Sequence, residues 1–204
     1  MTTDREDARL IVSRHAARLF LERGVAATSG DDIADAAGLS KRTVWRYFRS
    51  KEACVEPLFS VSSLRFASVL REWPLHITIE AHLHEAIRPL DQTPQEIADD
   101  VLAVRLIALL PTEPALRTAW LMSCHLGETQ LIDVVAQRAR RAPGDFDVRL
   151  CAAAVMAAVR VVDEDISVAA VTHGRIFTLP EIIDQLAKAI RTASTLPICD
   201  PVEP

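Results

Sequence analysis

The spacing of Ala34, Gly38 and Val44 constrains this chain more than any other feature. Two short helices cross closely only where a small residue sits at the crossing, and Ala34 supplies it. Four positions on, the turn needs a residue that tolerates positive φ, and Gly38 stands there. Val44, six further on, is placed to pin the second helix from its inner side, with Ile33, Ala37 and Leu39 completing the buried side. Ser40 suits the N-cap of the second helix, and Ser29 with Asp32 three residues later reads as a capping box for the first. Together these predict a helix-turn-helix with helices near 31–37 and 41–47. An ordinary hairpin with a solvated charge run accounts less well for turn, caps and charge at once.

The charge is concentrated in the second helix. Residues 40–51 hold five Lys or Arg and no acid, with Trp45 and Tyr47 interleaved. Residues 1–51 carry ten Lys or Arg against seven acids, or +3, whereas residues 52–204 carry thirteen against twenty-one, or −8. The whole-chain charge of −5 conceals this division. A basic head on an acidic body predicts that the head meets a polyanion and the body does not.

Helical signals continue along the chain. Ala8, Ile11, Val12, Ala16, Leu19 and Phe20 recur at helical spacing and Gly24 closes the segment, which predicts a helix over about 5–22. A fourth helix begins at Lys51 behind a Ser50 cap and runs to about Arg71, with Pro57 loosening its first turns. It belongs to both regions and can transmit movement between them. Further helices are predicted near 78–90, 94–110, 113–141, 146–163 and 180–194, with Pro94, Pro114 and Pro180 near helix starts. The stretch 164–179 carries no clear signal. Gly is scarce, with six residues, and no segment shows strand alternation. The fold class is therefore all-α: a three-helix head over residues 1–50 and a larger helical bundle over residues 51–204.

Four widely spaced cysteines read as reduced thiols in a cytoplasmic protein. The polar start, Thr2 to Asp7, does not read as a leader, and the longest apolar run, Leu150 to Val159, is too short to cross a bilayer. No membrane partner is expected.

The head resembles the tetracycline-repressor-like (TetR) family of transcriptional regulators. The matching residues are Ile11, Ala16, Leu19, Phe20, Gly24, Thr28, Ile33, Ala34, Ala37, Gly38, Leu39, Ser40, Thr43, Trp45, Tyr47, Phe48, Ser50, Lys51 and Glu52, about the first quarter of the chain. Pro114 to Arg117 and Ala136 to Arg138 are similar to a lipophile-sensing subgroup. Two positions depart from the family's pattern. Gly30 stands where an apolar residue is usual, and Trp45 where Tyr is usual; Trp keeps a packing surface and one N–H donor but no hydroxyl. The resemblance implies a homodimer that binds palindromic operator DNA, usually as a repressor, with a small molecule in the body altering the spacing of the heads.

Within that frame, Lys41, Arg42 and Thr43 occupy the first turn of the second helix and are expected to reach base edges, Arg being the natural bidentate partner of guanine. Arg46, Tyr47 and Lys51 are expected phosphate contacts. Thr28, Ser29, Ser40 and Trp45 are candidates for the same surface, with capping or packing as the alternative. In the body, Arg105 interrupts an apolar run and can meet an acidic ligand; snorkelling or pairing with a carboxylate is the plainer reading. Trp120 with Cys124, and Leu121 with His125, are i,i+4 pairs that suit a cavity lining or plain core. Alanines including Ala154 and Ala158, and the stripe Ile183, Leu186 and Ile190, suit a four-helix dimer interface or intrachain core, and the resemblance favours the dimer interface. Arg138, Arg140 and Arg141 end a long helix, where cations suit the dipole.

Other classes fit less well. There is no Glu-x-x-His pair, nucleophile motif or phosphate-cradling Gly-rich loop, so neither an enzyme nor a cofactor is expected. His82 and His84 point to different sides of a helix and make poor metal partners. A DNA-binding protein without an effector would not need so large an apolar body.

Overall fold

The computed structural model describes residues 2–88 and 92–202, with side chains from Arg5 onward. The described residues form α1 (Thr2–Arg23), α2 (Gly30–Ala36), α3 (Lys41–Tyr47), a 3-10 turn (Glu52–Val55), α4 (Glu56–Arg71), α5 (Ile79–Ala86), α6 (Pro94–Ile107), α7 (Pro114–Ala139), α8 (Phe146–His173) and α9 (Leu179–Ala193), and no strand. The protein is all-α.

Local chemistry sets the helix boundaries. Thr93 and Thr178 each close a capping box with the Glu three residues on, and Pro94 and Pro180 follow them in the first turn, where a missing N–H costs nothing. The fourth helix opens as the 3-10 turn, so Pro57 falls in the first turn of α4 rather than inside a longer helix. α8 runs ten residues beyond the expected end at 163, because nothing between 164 and 173 breaks a helix; Gly174, at φ 65°, then terminates it. α5 ends at Ala86 with Ile87 as its cap, short of the expected end at 90, which itself lies outside the described residues. The segment Glu52–Arg71 is long and apolar enough for a membrane span by composition, but it includes the buried core side chains Leu58, Phe59, Ala67 and Leu70.

The chain divides into two compact units, Met1–Ser62 with Thr93–Ser123, and Ser63–Gln92 with Cys124–Pro204. The division falls inside α4 and inside α7, so both are continuous across it.

In the first unit α1 packs on α2, the 3-10 turn and α6. Its core includes Val12, Ala16, Phe20, Ile33, Val44 and Phe59. Two polar links supplement it. Arg14 on α1 grips Asp99 on α6 in a bidentate pair at 2.8 and 2.7 Å, and Gln95 also donates to Asp99. Asp99 is buried, so this pairing satisfies a charge that would otherwise be costly. Ser13, fully buried, accepts the Leu58 N–H, one of the unpaired donors at the start of α4.

In the second unit α9 packs on α8 and α5 through Ile183, Leu186, Ala187 and Ile190. On α9, Arg191 holds both oxygens of Glu80, from α5, at 2.6 and 2.8 Å and also reaches Asp200. The arginine keeps the Glu80 carboxyl down at about 2.

Arg138 is the other organiser of this unit. The sequence suggests a helix-end cation placed for the dipole, and the side chain is only 3% exposed. Its guanidinium donates to the carbonyls of Ile198, Pro74, Ile77 and Asp200 and lies 3.5 Å from the centre of the Trp73 ring. Desolvation pushes it down to about 10, and it stays charged at neutral pH. Five donors in a fixed plane can tie one helix to two irregular segments, 74–77 and 198–200, which a lysine could not do. Arg138→Ala would strand those carbonyls. It should cost about 3 kcal/mol or more in urea unfolding, with Arg138→Lys recovering only part. A loss below about 1 kcal/mol would show that the tail is held by its apolar contacts instead.

Candidate nucleic-acid interface and effector residues

The α2–α3 crossing is sealed. Ile33, Ala34 and Val44 have no exposed surface, and Gly38 turns the chain at φ 65°. The Gly38 N–H bonds to the Asp35 carbonyl and the Leu39 N–H to the Ala34 carbonyl, which closes α2. Ser29 and Asp32 form the predicted capping box, and the Ser40 hydroxyl accepts the Thr43 N–H at 3.1 Å. Phe48 closes α3 from below, buried beneath Arg9. Ala37 and Leu39 are only half-buried.

Sealing one side of α3 fixes the other. Ser40, Lys41, Arg42, Trp45 and Arg46 are exposed there, and α3 carries no acid. Lys41 pairs with Asp31 of α2. Arg46 stacks on Tyr47 at 5.2 Å, and Arg5 of α1 approaches the same ring at 5.7 Å, so two cations flank one phenol. Thr43 is half-buried, its hydroxyl shared with Ser40. Ser29 is exposed but engaged in its cap.

Two of the expected phosphate contacts turn inward. Thr28 is 1% exposed and donates to the Gly24 carbonyl at 2.9 Å. The Lys51 ammonium donates to the carbonyls of Val25 and Thr28, at 2.5 and 2.7 Å. The segment after α1 presents these carbonyls without helical partners, and the nearest long cation satisfies them. Spacing could not reveal this, because it depends on how 25–28 folds back over residue 51. A cleft of about 180 Å³ lies in the first unit where Arg49, Ser50 and Glu56 meet Ala115 and Thr118 of α7. It is smaller than the usual ligand pocket of about 300–1,000 Å³.

The expected effector residues separate by exposure. Trp120 is 3% exposed and meets the Phe59 ring edge-on at 5.4 Å. Cys124 is buried, and desolvation pushes its thiol up to about 12, so it is unreactive. Arg105 and His125 face outward. His125 and Cys124, adjacent on α7, therefore lie on different faces, one exposed and one buried.

Asp163 went unnoticed in the sequence. It follows Met156 and Val159 and precedes Ser167 at helical spacing, on the inward stripe of α8. Arg160, one turn before it, is committed to Glu164 at 2.9 Å. Surrounding protein desolvates the Asp163 carboxyl, with a smaller push from Glu164, and raises it to about 7. The same carboxyl acts on Cys124 of α7. Close by, a side chain at Gly127 of α7 would lie 2.7 Å from the Met156 methyl. An acid at an inward register position was a legible signal, but its neighbours were not.

Among the proposed interface residues, Ile183, Leu186 and Ile190 are already buried within the single chain. Ala154 and Ala158 of α8 are half-buried. Leu150 and Val161, 45% and 55% exposed, continue their face of α8.

A family model described as bacterial regulatory proteins, tetR family, matches residues 14–58, and one described as the MftR C-terminal domain matches residues 78–192. No curated protein matches the chain. Among solved structures, Salmonella enterica GusR aligns over 92% of this chain and 95% of its own, with TM-score 0.52 and 21% identity. A flavonoid-responsive regulator, FrrA, aligns over 92% and 95% with TM-score 0.45 and 28% identity. The likeness to GusR is one of fold. With the first model on the helix-turn-helix and the second over more than half the chain, this protein belongs to the TetR family of DNA-binding transcriptional regulators.

Proposed function

We propose that this regulator is a cytoplasmic repressor that binds palindromic operator DNA as a homodimer and is released by a small, largely apolar effector. Residues 1–50 serve DNA binding, and residues 51–204 serve effector binding and dimerisation. The observation that carries this reading is the exposed, acid-free face of α3. Arg42 there makes no ion pair among the described residues, and Arg46 is held extended by Tyr47. With Ser40, Lys41, Thr43 and Trp45, these side chains supply donors for base edges and phosphates. Thr28 and Lys51 act indirectly, by bracing the end of α1 against the start of the 3-10 turn.

The effector reading is supported by Asp163, an acid raised to about 7 amid the apolar stripe of α8 and beside buried Cys124. A carboxyl whose proton is held mainly by desolvation is a frequent mark of a ligand site. Continuity of α4 and α7 through both units offers a path for coupling, typically about 1–3 kcal/mol between two ligands. The dimer seam is assigned to the Leu150, Ala154, Ala158 and Val161 face of α8, with Ile183, Leu186 and Ile190 supporting it from within.

Sequencing of genomic duplexes retained by the purified protein should yield a palindrome whose binding weakens steeply with salt. Arg42→Ala should then cost about 1–3 kcal/mol and relax one operator position. Equal loss on operator and random DNA would remove Arg42 from base reading. For the seam, Val161→Glu should give folded monomers by sedimentation, whereas Leu186→Glu should unfold the protomer; a dimeric Val161→Glu protein would place the interface elsewhere.

Burial favours the neutral form of Asp163, so its contribution to stability is present below its ordinary value of 3.8 and is lost as pH rises through about 7. Asp163→Asn should therefore gain stability over the parent chain progressively between pH 4 and 7. Parallel stability profiles for the two proteins would show that the carboxyl is solvated.

A further inference from the structure

The two positions where the head departs from its family's pattern lie against each other. A methyl group built on Gly30 would sit 2.0 Å from Cζ2 of Trp45, 2.4 Å from Cη2 and 3.2 Å from Cε2. No side chain fits there unless the indole moves. Backbone freedom is not what Gly30 provides, because the glycines with positive φ are Gly24, Gly38 and Gly174. Gly30 is the first residue of α2, where alanine would favour the helix more. The position thus accepts a poorer helix former, and what it gains is room for a bicyclic ring.

Trp45 makes limited use of that room for burial. It remains 45% exposed, on the same acid-free face as Arg42 and Arg46. The edge next to Gly30 is the six-membered ring, and Cε2, which bears the N–H nitrogen, lies just beyond. A large apolar plane is therefore held from one edge by the backbone of a neighbouring helix while much of it faces outward among cations. A flexible surface side chain would lose rotamer freedom on binding, whereas a seated ring has already lost it.

We propose that Gly30 is a positioning residue for Trp45: the bare first turn of α2 seats the indole so that its plane packs on the deoxyribose of bound duplex DNA and its Nε1–H donates to a phosphate. This rests on the reading of α3 as the DNA-facing helix. The pair replaces a phenol's hydroxyl contact with a larger plane and one N–H, and each departure makes sense only with the other.

A double-mutant cycle tests the coupling, using a mixed-sequence 30-base-pair duplex at low salt and the parent, Gly30→Ala, Trp45→Tyr and doubly substituted chains, with Arg46→Ala, at an expected phosphate contact, as reference. Gly30→Ala should weaken binding about tenfold in the parent but less than about twofold in the Trp45→Tyr chain, where the smaller ring leaves space. Circular dichroism and thermal melting confirm that each variant is folded, and Gly30→Ala should raise the melting temperature only in the Trp45→Tyr chain. Trp73 and Trp120 are 5% and 3% exposed, so acrylamide-quenchable emission reports Trp45, and the duplex should shield it. Equal losses in both chains, no loss in the parent, or quenching unaltered by DNA would overturn the proposal. If Arg46→Ala weakens binding while Gly30→Ala does not, only the positioning role falls. If no substitution matters, the assignment of α3 to DNA falls with it.

Discussion

The crossing of α2 and α3 is the constraint on which the outward chemistry of the head depends. Ala34 and Val44 meet there with no exposed surface, and the left-handed turn at Gly38 makes the approach possible. A helix seven residues long has little stability of its own. α3 therefore holds its orientation only because Val44 and Phe48 are anchored beneath it. Once that side is pinned, helical periodicity leaves Arg42, Trp45 and Arg46 no direction but outward. The recognition surface is the remainder of a packing solution.

Buried polar groups show how the rest of the chain is organised. Asp99 has Arg14 and Gln95, Ser13 has the Leu58 N–H, and Arg138 has four carbonyls and the Trp73 ring. Each removes an unsatisfied donor, acceptor or charge from the interior while joining segments far apart in sequence. Asp163 departs from this pattern. Arg160, one turn before it, pairs with Glu164, and desolvation moves the Asp163 carboxyl to about 7. The acid assigned to the effector is thus the one that burial, not pairing, perturbs most strongly among the described carboxyls.

Several expectations survive contact with the structure because they were local. The capping box at Ser29 and the cap at Ser40 involve residues three apart, and α3 spans the predicted residues 41–47. Those that changed were tertiary. Lys51 looked like a phosphate contact by position and charge, yet its ammonium serves two carbonyls more than twenty residues upstream. Leu186 and Ile190 were expected at the dimer seam, with intrachain core as the alternative, and the chain's own α5 and α8 pack on them.

Sequence alone determined the helical class, the position of the helix-turn-helix, its caps and turn, and the acid-free charge of α3. All of these depend on residues within a few positions of one another, where backbone geometry dictates who meets whom. Tertiary structure decided which cations remain free, which apolar stripe is already consumed, and that Arg138 is an interior clamp. It also decided that the missing side chain at Gly30 and the outsized one at Trp45 are a single arrangement. Side-chain direction across elements depends on how they cross, and a crossing is settled only when every neighbour competes for the same space.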